Sequence, residues 1–159
     1  MKVSIAAVFT ILLLAQSLRG TEPAPPESPT PPAKRVEVDK TQQIMRAYEG
    51  DRVILETHVS TGREGAPPRG RYYAGEKSLM HRSRLFHNAP MPFSVQLSGN
   101  FFIHGFTSVP DYPASHGCVR VPLDHGNPAK QFYEWVEPGT PIDVVGQWEG
   151  RPAKKKARR

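Results

Sequence analysis

Cys118 is the only cysteine among 159 residues, and it stands in Ser115-His116-Gly117-Cys118-Val119-Arg120, flanked by residue types that thiol chemistry uses. A second histidine-glycine pair, His104-Gly105, precedes the sulfur by 14 positions. The thiolate is the attacking species, and a free cysteine with a pKa of about 8.5 is mostly protonated at neutral pH. An imidazole must take that proton, so His104 and His116 are the candidate bases. Gly105 and Gly117 follow them, and a glycine admits close approach of backbone to a substrate. The Gly117 and Cys118 N–H groups lie next to the sulfur, where they could face the oxyanion formed when a carbonyl is attacked. Acyl transfer is the reaction class that this set suits.

Other readings compete. An isolated cysteine is often a small buried hydrophobe, but His116, Gly117 and Arg120 are poor core material. His104, His116 and Cys118 could supply three ligands of a zinc site, yet no fourth stands at a familiar spacing, so no metal and no cofactor are expected. His58, His81, His87 and His125 lie outside the motif and read as surface or loop residues. The polar stretch Glu76 to Ala89, with His81, Arg82, Arg84 and His87, reads as a flap beside the site, charged to suit a carboxylate-rich peptide.

The paired motifs resemble the signature of the L,D-transpeptidases of bacterial cell walls, the YkuD-type catalytic domain: His-Gly, then Ser/Thr-His-Gly-Cys-x-Arg/Asn after a loop. Val59-Ser60-Thr61-Gly62 resembles the family's V-S-T-G turn, Pro90 to Phe93 its segment before the histidine strand, and Gly139 to Val145 its closing strand. The likeness covers Arg35 to Val145. Pro67-Pro68-Arg69-Gly70 departs from the usual Thr-Pro-x-Gly, and Phe106 to Ala114 leaves little room for a long loop.

The resemblance implies a mainly β fold with one short helix, a YkuD-like β-sandwich or meander with Cys118 beside a strand and loop. It also implies a peptidoglycan stem tetrapeptide as acyl donor and loss of terminal D-Ala, followed by transfer to an amine in a 3→3 cross-link. L,D-carboxypeptidase activity, protein-to-peptidoglycan ligation and a non-catalytic wall-binding module remain alternatives. In this scheme His104 draws the Cys118 proton, its other ring nitrogen facing a backbone carbonyl such as that of Gly105. His116 shapes the oxyanion hole or polarises the site, and Ser115 orients it. Arg120 is either a structural ion-pair partner or the binder of a substrate carboxylate.

The elements that must position these residues can be traced. Val36 and Val38 alternate with Glu37 and Asp39, Ile44 to Tyr48 and Arg52 to Ser60 follow, and Glu49-Gly50-Asp51 makes a turn. Arg71 to Ala74, Phe93 to Leu97, Phe101 to His104, Val119 to Val121 and Ile142 to Val145 read as further strands of a mostly antiparallel sheet, with a hairpin at Ser98-Gly99-Asn100. One helix begins after Asp124, or after Asn127 with Pro128 at its first position. Its stripe of Ala129, Phe132, Tyr133 and Val136 is expected to pack beneath the strand that carries the cysteine. Trp135 is expected to join the core.

Residues 1–20 start with Lys2, run apolar from Val3 to Ala15 and end in small residues, as a secretory leader does. Export to a periplasm or cell-wall space is expected, with the leader either cleaved or kept as an anchor. Residues 21–34 form a proline-rich linker: six of the chain's 17 prolines fall between 21 and 33, a composition that gives an extended spacer. The catalytic domain is expected over 35–146 and a basic tail over 147–159. The formal net charge is +6, and Arg151 to Arg159 alone hold six cations and no acid. The rest is neutral, which argues against a nucleic-acid-binding face. The tail reads as a solvated extension, or as an electrostatic contact to anionic wall polymer or a membrane surface. A monomer is expected.

Overall fold

In the computed structural model, which describes residues 33–150, the alternation of valine with acid in the first segment becomes strand β1 (Lys34–Asp39), with Val36 and Val38 buried. β2 (Ile44–Glu49) and β3 (Arg52–His58) follow as an antiparallel meander. The chain then forms β4 (Gly70–Tyr73), β5 (Lys77–Arg82), β6 (Pro90–Ser98), β7 (Phe101–Phe106), β8 (Val119–Pro122), helix α1 (Pro128–Trp135) and β9 (Pro141–Val145). One sheet has the order β3-β2-β1-β9-β4 and the other β5-β6-β7-β8. The inward residues of both, with Phe132 and Val136, make one core. Burying such side chains contributes roughly 1.5–3 kcal/mol each.

Two pairings depart from the antiparallel expectation. β1 pairs with β9 in parallel, and so does β7 with β8. The second matters for chemistry: its register sets His104 opposite Arg120 and Ile103 opposite Val119. Side chains alternate across a strand, so Ile103, Val119 and Val121 enter the core, while His104 and Arg120 share the other face.

The stretch Glu76 to Ala89 is corrected in its first half. Lys77 to Arg82 is a strand, pairing with β6 across Met91, Pro92, Ser94 and Val95, and the flap is confined to the turn 83–89 beyond it. Period-2 patterning is weak here because both Leu79 and Met80 face solvent. Lys34, expected in the linker, is the first residue of β1. Gln147, expected in the tail, donates its N–H to Thr41 Oγ1 at 3.0 Å. The leader, the linker up to residue 32 and the tail from 151 lie outside the described residues.

Helix α1 starts at Pro128, and Asn127 caps it by accepting the Lys130 N–H at 3.0 Å. Asn127 has a φ of 55°, which asparagine tolerates better than most residues. Asn127→Ala loses both the cap and that tolerance. It is expected to lower stability by about 1 kcal/mol, measured as a shift of the urea midpoint.

Candidate active site

β7 and β8 bring the two motifs together. His104, Ser115, His116, Gly117, Cys118 and Arg120 line one cleft of about 660 Å³. Its far wall is β5 and the turn beyond it, which contribute His81, Arg84, Leu85 and Phe86.

His104 is buried at 5% exposure, and its Nδ1 lies 2.9 Å from the Gly105 carbonyl. A carbonyl only accepts, so Nδ1 carries the proton and Nε2 keeps its lone pair. Burial drives its pKa down to about 4, aided by the Arg120 charge and opposed by the bond to Gly105. The ring is therefore a neutral base at neutral pH. Because the folded pKa lies below the unfolded value of about 6.5, the linked stability is present above 6.5 and is lost as the pH falls toward 4. Denaturant titration is expected to show wild type losing about 3 kcal/mol more than His104→Gln between pH 7 and pH 4.

Cys118 is partly buried, and its Sγ donates to the Asn100 carbonyl at 3.6 Å. Burial raises the thiol's pKa, while a hydrogen bond from the Phe102 main chain and the charge of Arg120 favour the thiolate. Burial is the largest of these causes. The resting cleft thus holds a neutral thiol and a neutral imidazole, not an ion pair.

His116 is exposed and differs from His104 in every respect. Its Nε2 is 2.9 Å from Arg63 Nη2, and its ring stacks on Phe86 with centroids 4.5 Å apart. A guanidinium only donates, so Nε2 is the acceptor and its lone pair is occupied. Of the two motif histidines, that leaves His104 with the free basic nitrogen, and it removes Nε2 of His116 from any metal set.

Three expectations about the loop need correction. Ser115 does not serve to orient His116: its hydroxyl donates to the Cys118 carbonyl at 2.6 Å and accepts the Gly117 N–H at 3.0 Å. The Gly117 N–H is consequently engaged within the loop and is not a free oxyanion donor. Gly105 does not open the backbone to substrate either. A Cβ there would lie 2.5 Å from Leu123 Cδ2 and 3.2 Å from Ala129 Cβ, so this glycine lets α1 pack against β7. Gly117 does need its freedom, with a φ of 147° and Phe101 within 2.9 Å of the place a Cβ would take.

The turn Val59 to Gly62 holds the loop from behind. Thr61 O accepts from both Ala114 N and Ser115 N at 3.0 Å, and Arg63 N donates to Ser115 O at 3.1 Å. Ser60 and Arg120 exchange both backbone bonds, at 3.0 and 2.9 Å. Thr61 is itself fixed by buried Gln43, whose Oε1 accepts the Thr61 N–H at 2.8 Å. Arg120 meets no carboxylate among the described residues. Its guanidinium lies 4.2 Å from the Phe106 ring centroid, which removes the ion-pair reading and leaves its donors facing the cleft.

Sequence reasoning missed two contributors, Phe86 and Arg63, and half-read a third. His81, read both as a surface or loop residue and as part of a flap beside the site, is on a strand in the cleft wall, half-buried and stacked on Phe102 at 4.6 Å. Phe86 and Arg63 reach His116 from distant segments. Only Arg63 carried a signal, as the residue directly after the Val59 to Gly62 turn. His58, His87 and His125 are exposed, as expected.

The family model of the L,D-transpeptidase catalytic domain, YkuD, matches residues 33–144. A comparison with curated proteins gives no match. Among solved structures, an L,D-transpeptidase from Xylanimonas cellulosilytica is 29% identical, with 74% of this chain and 63% of that one covered at a TM-score of 0.61. One from Stackebrandtia nassauensis is 26% identical, covering 75% and 58% at 0.66. A cysteine-to-serine mutant of an Enterococcus faecium L,D-transpeptidase is 25% identical, covering 71% and 50% at 0.60. The chain thus spans between half and two thirds of these relatives. With the match running from the first described residue into the last strand, and solved relatives superposing at TM-scores of 0.61, 0.66 and 0.60, the chain belongs to the L,D-transpeptidase catalytic domain (YkuD) family.

Proposed function

We propose that the chain is a cysteine-dependent L,D-transpeptidase acting on peptidoglycan stem peptides. The observation that carries this reading is a lone thiol sharing a cleft with a buried imidazole whose Nδ1–H is fixed on Gly105 and whose Nε2 is free. His104 Nε2 takes the thiol proton as Sγ attacks the carbonyl of the third residue of a stem tetrapeptide. The oxyanion is held by the Cys118 N–H, the donor left at the sulfur once Ser115 has engaged Gly117. Collapse breaks the peptide bond, and His104 returns the proton to the departing D-Ala amine. The thioester is then attacked by an acceptor amine, which loses a proton to His104, and His104 passes that proton to the departing sulfur, restoring the thiol. Arg84 and Arg120 supply positive charge for the substrate's carboxylates, against Glu76 as the one acid in the lining.

Mass spectrometry of the purified protein with defined stem peptides tests this. A cross-linked product with loss of D-Ala supports transpeptidation. Loss of D-Ala with water as acceptor would make it an L,D-carboxypeptidase, and attachment to a protein lysine a ligase. Wall binding with no product, unchanged in Cys118→Ala, would make it a binding module.

We further propose export, with the tail as an electrostatic contact to anionic wall polymer or membrane. Deleting Arg151 to Arg159 is then expected to release the protein from wall or membrane fractions. Added salt should do the same to the intact chain, because exposed charges are screened over about 10 Å at 0.1 M. Equal sedimentation of both forms at low salt would leave the tail a solvated extension.

A further inference from the structure

A second cavity, of about 380 Å³, opens on the Thr61 to Arg69 loop and is closed by Gly146, Gln147 and Trp148. Lys40 lies in its lining at only 4% exposure. Its ammonium donates to the Gly65 carbonyl and, at 2.9 Å, to the Pro67 carbonyl. An ammonium has three donors, and the third has no protein acceptor among the described residues. No carboxylate neutralises it there either: Glu64 lines the same cavity but forms no ion pair with it. A buried cation held only by carbonyls is costly unless an anion joins it.

Arg63 and Arg69 line the same cavity. The contact of Arg63 with His116 uses one arm of its fork, leaving further N–H donors for a second acceptor. Three cations against the single acid Glu64 leave a formal excess of two positive charges, which a dianion matches and a carboxylate does not. We propose that this cavity binds a phosphate group, with Lys40 as the buried anchor and Arg63 and Arg69 as its flanks. Burial and the Arg69 charge both lower the Lys40 pKa, and a bound dianion would oppose both. Trp148, Pro68 and Pro113 give the phosphate's carrier an apolar wall.

The site is independent of acyl transfer at Cys118, so its test needs no turnover. Calorimetric titration of the full-length protein at constant ionic strength, with inorganic phosphate, glycerol 3-phosphate, glycerophosphoglycerol and acetate, is expected to show inorganic phosphate and glycerol 3-phosphate, the two probes that reach a double negative charge, binding about tenfold tighter than acetate. Lys40→Met risks misfolding, since Lys40 ties two loop carbonyls. Exposed Arg69→Gln avoids that and should weaken phosphate about tenfold. The tail's charges are the same in both proteins and cancel. Arg84→Gln, in the cleft, should leave phosphate binding unchanged. Tightest binding of inorganic phosphate assigns the source to the free ion and tightest binding of glycerol 3-phosphate to a phosphate monoester; tightest binding of the diester, which carries a single negative charge, would overturn the dianion assignment. Acetate binding equal to phosphate, no effect of Arg69→Gln, or loss of binding in Arg84→Gln would each overturn the proposal.

Discussion

Cys118→Ala protein is expected to form no covalent adduct with a carbapenem, whereas the wild type should gain the mass of one acyl group on a single residue. The β-lactam carbonyl stands in for the acyl donor, and opening of its ring leaves the acyl group on sulfur with no fragment to diffuse away. With one thiol in the chain, peptide mapping of the adduct has a single cysteine to find. Turnover of stem peptide should vanish in the same variant, because no neighbouring hydroxyl is placed to substitute: the proton of Ser115 is committed to the Cys118 carbonyl. An adduct that persists in Cys118→Ala would overturn the assignment of the nucleophile.

His104→Ala is expected to slow acylation by roughly a hundred- to ten-thousand-fold, the range for loss of a positioned general base. The thiol's pKa is raised rather than lowered, so the sulfur cannot rely on being ionised in advance, and removal of its proton has to accompany attack. The same geometry fixes the pH dependence. His104 accepts a proton only while neutral, so acylation should hold as the pH falls from 7 and decline through about 4, where burial has driven its pKa. His116→Ala should damage the rate through geometry instead, by releasing Arg63 and Phe86, without moving that acid limb. Wild-type acylation in His104→Ala, with His116→Ala inactive, would exchange the two roles.

The candidate site was legible in the sequence because it resides in short motifs with rare residue types. A lone cysteine among histidines and glycines points to a candidate reaction class before any fold is known. The strands were legible where one face is buried, as in Val36 and Val38, and helix α1 from its Asn-Pro start and apolar stripe. β5 was not, since an edge strand with both Leu79 and Met80 in solvent has no alternation to read. The parallel pairing of β7 with β8 was equally hidden, because neighbours in space but not in chain leave no local trace. Residue roles failed for a related reason. Gly105 and Ser115 are explained by what surrounds them, Leu123 and Ala129 in one case and the loop's own backbone in the other, and the sequence names residues without their surroundings.

The hairpin tip that carries Asn100 has a consequence for chemical durability. Peroxides and small alkylating agents react with thiolates far faster than with thiols. A sulfur kept protonated, its hydrogen resting on the Asn100 carbonyl, is therefore a dull target for reagents that merely diffuse past. Under the function proposed above, attack on a substrate draws that hydrogen off the Asn100 carbonyl and onto His104. Reactivity is then conferred by the occupant, and the unoccupied protein is expected to lose little of its thiol to peroxide.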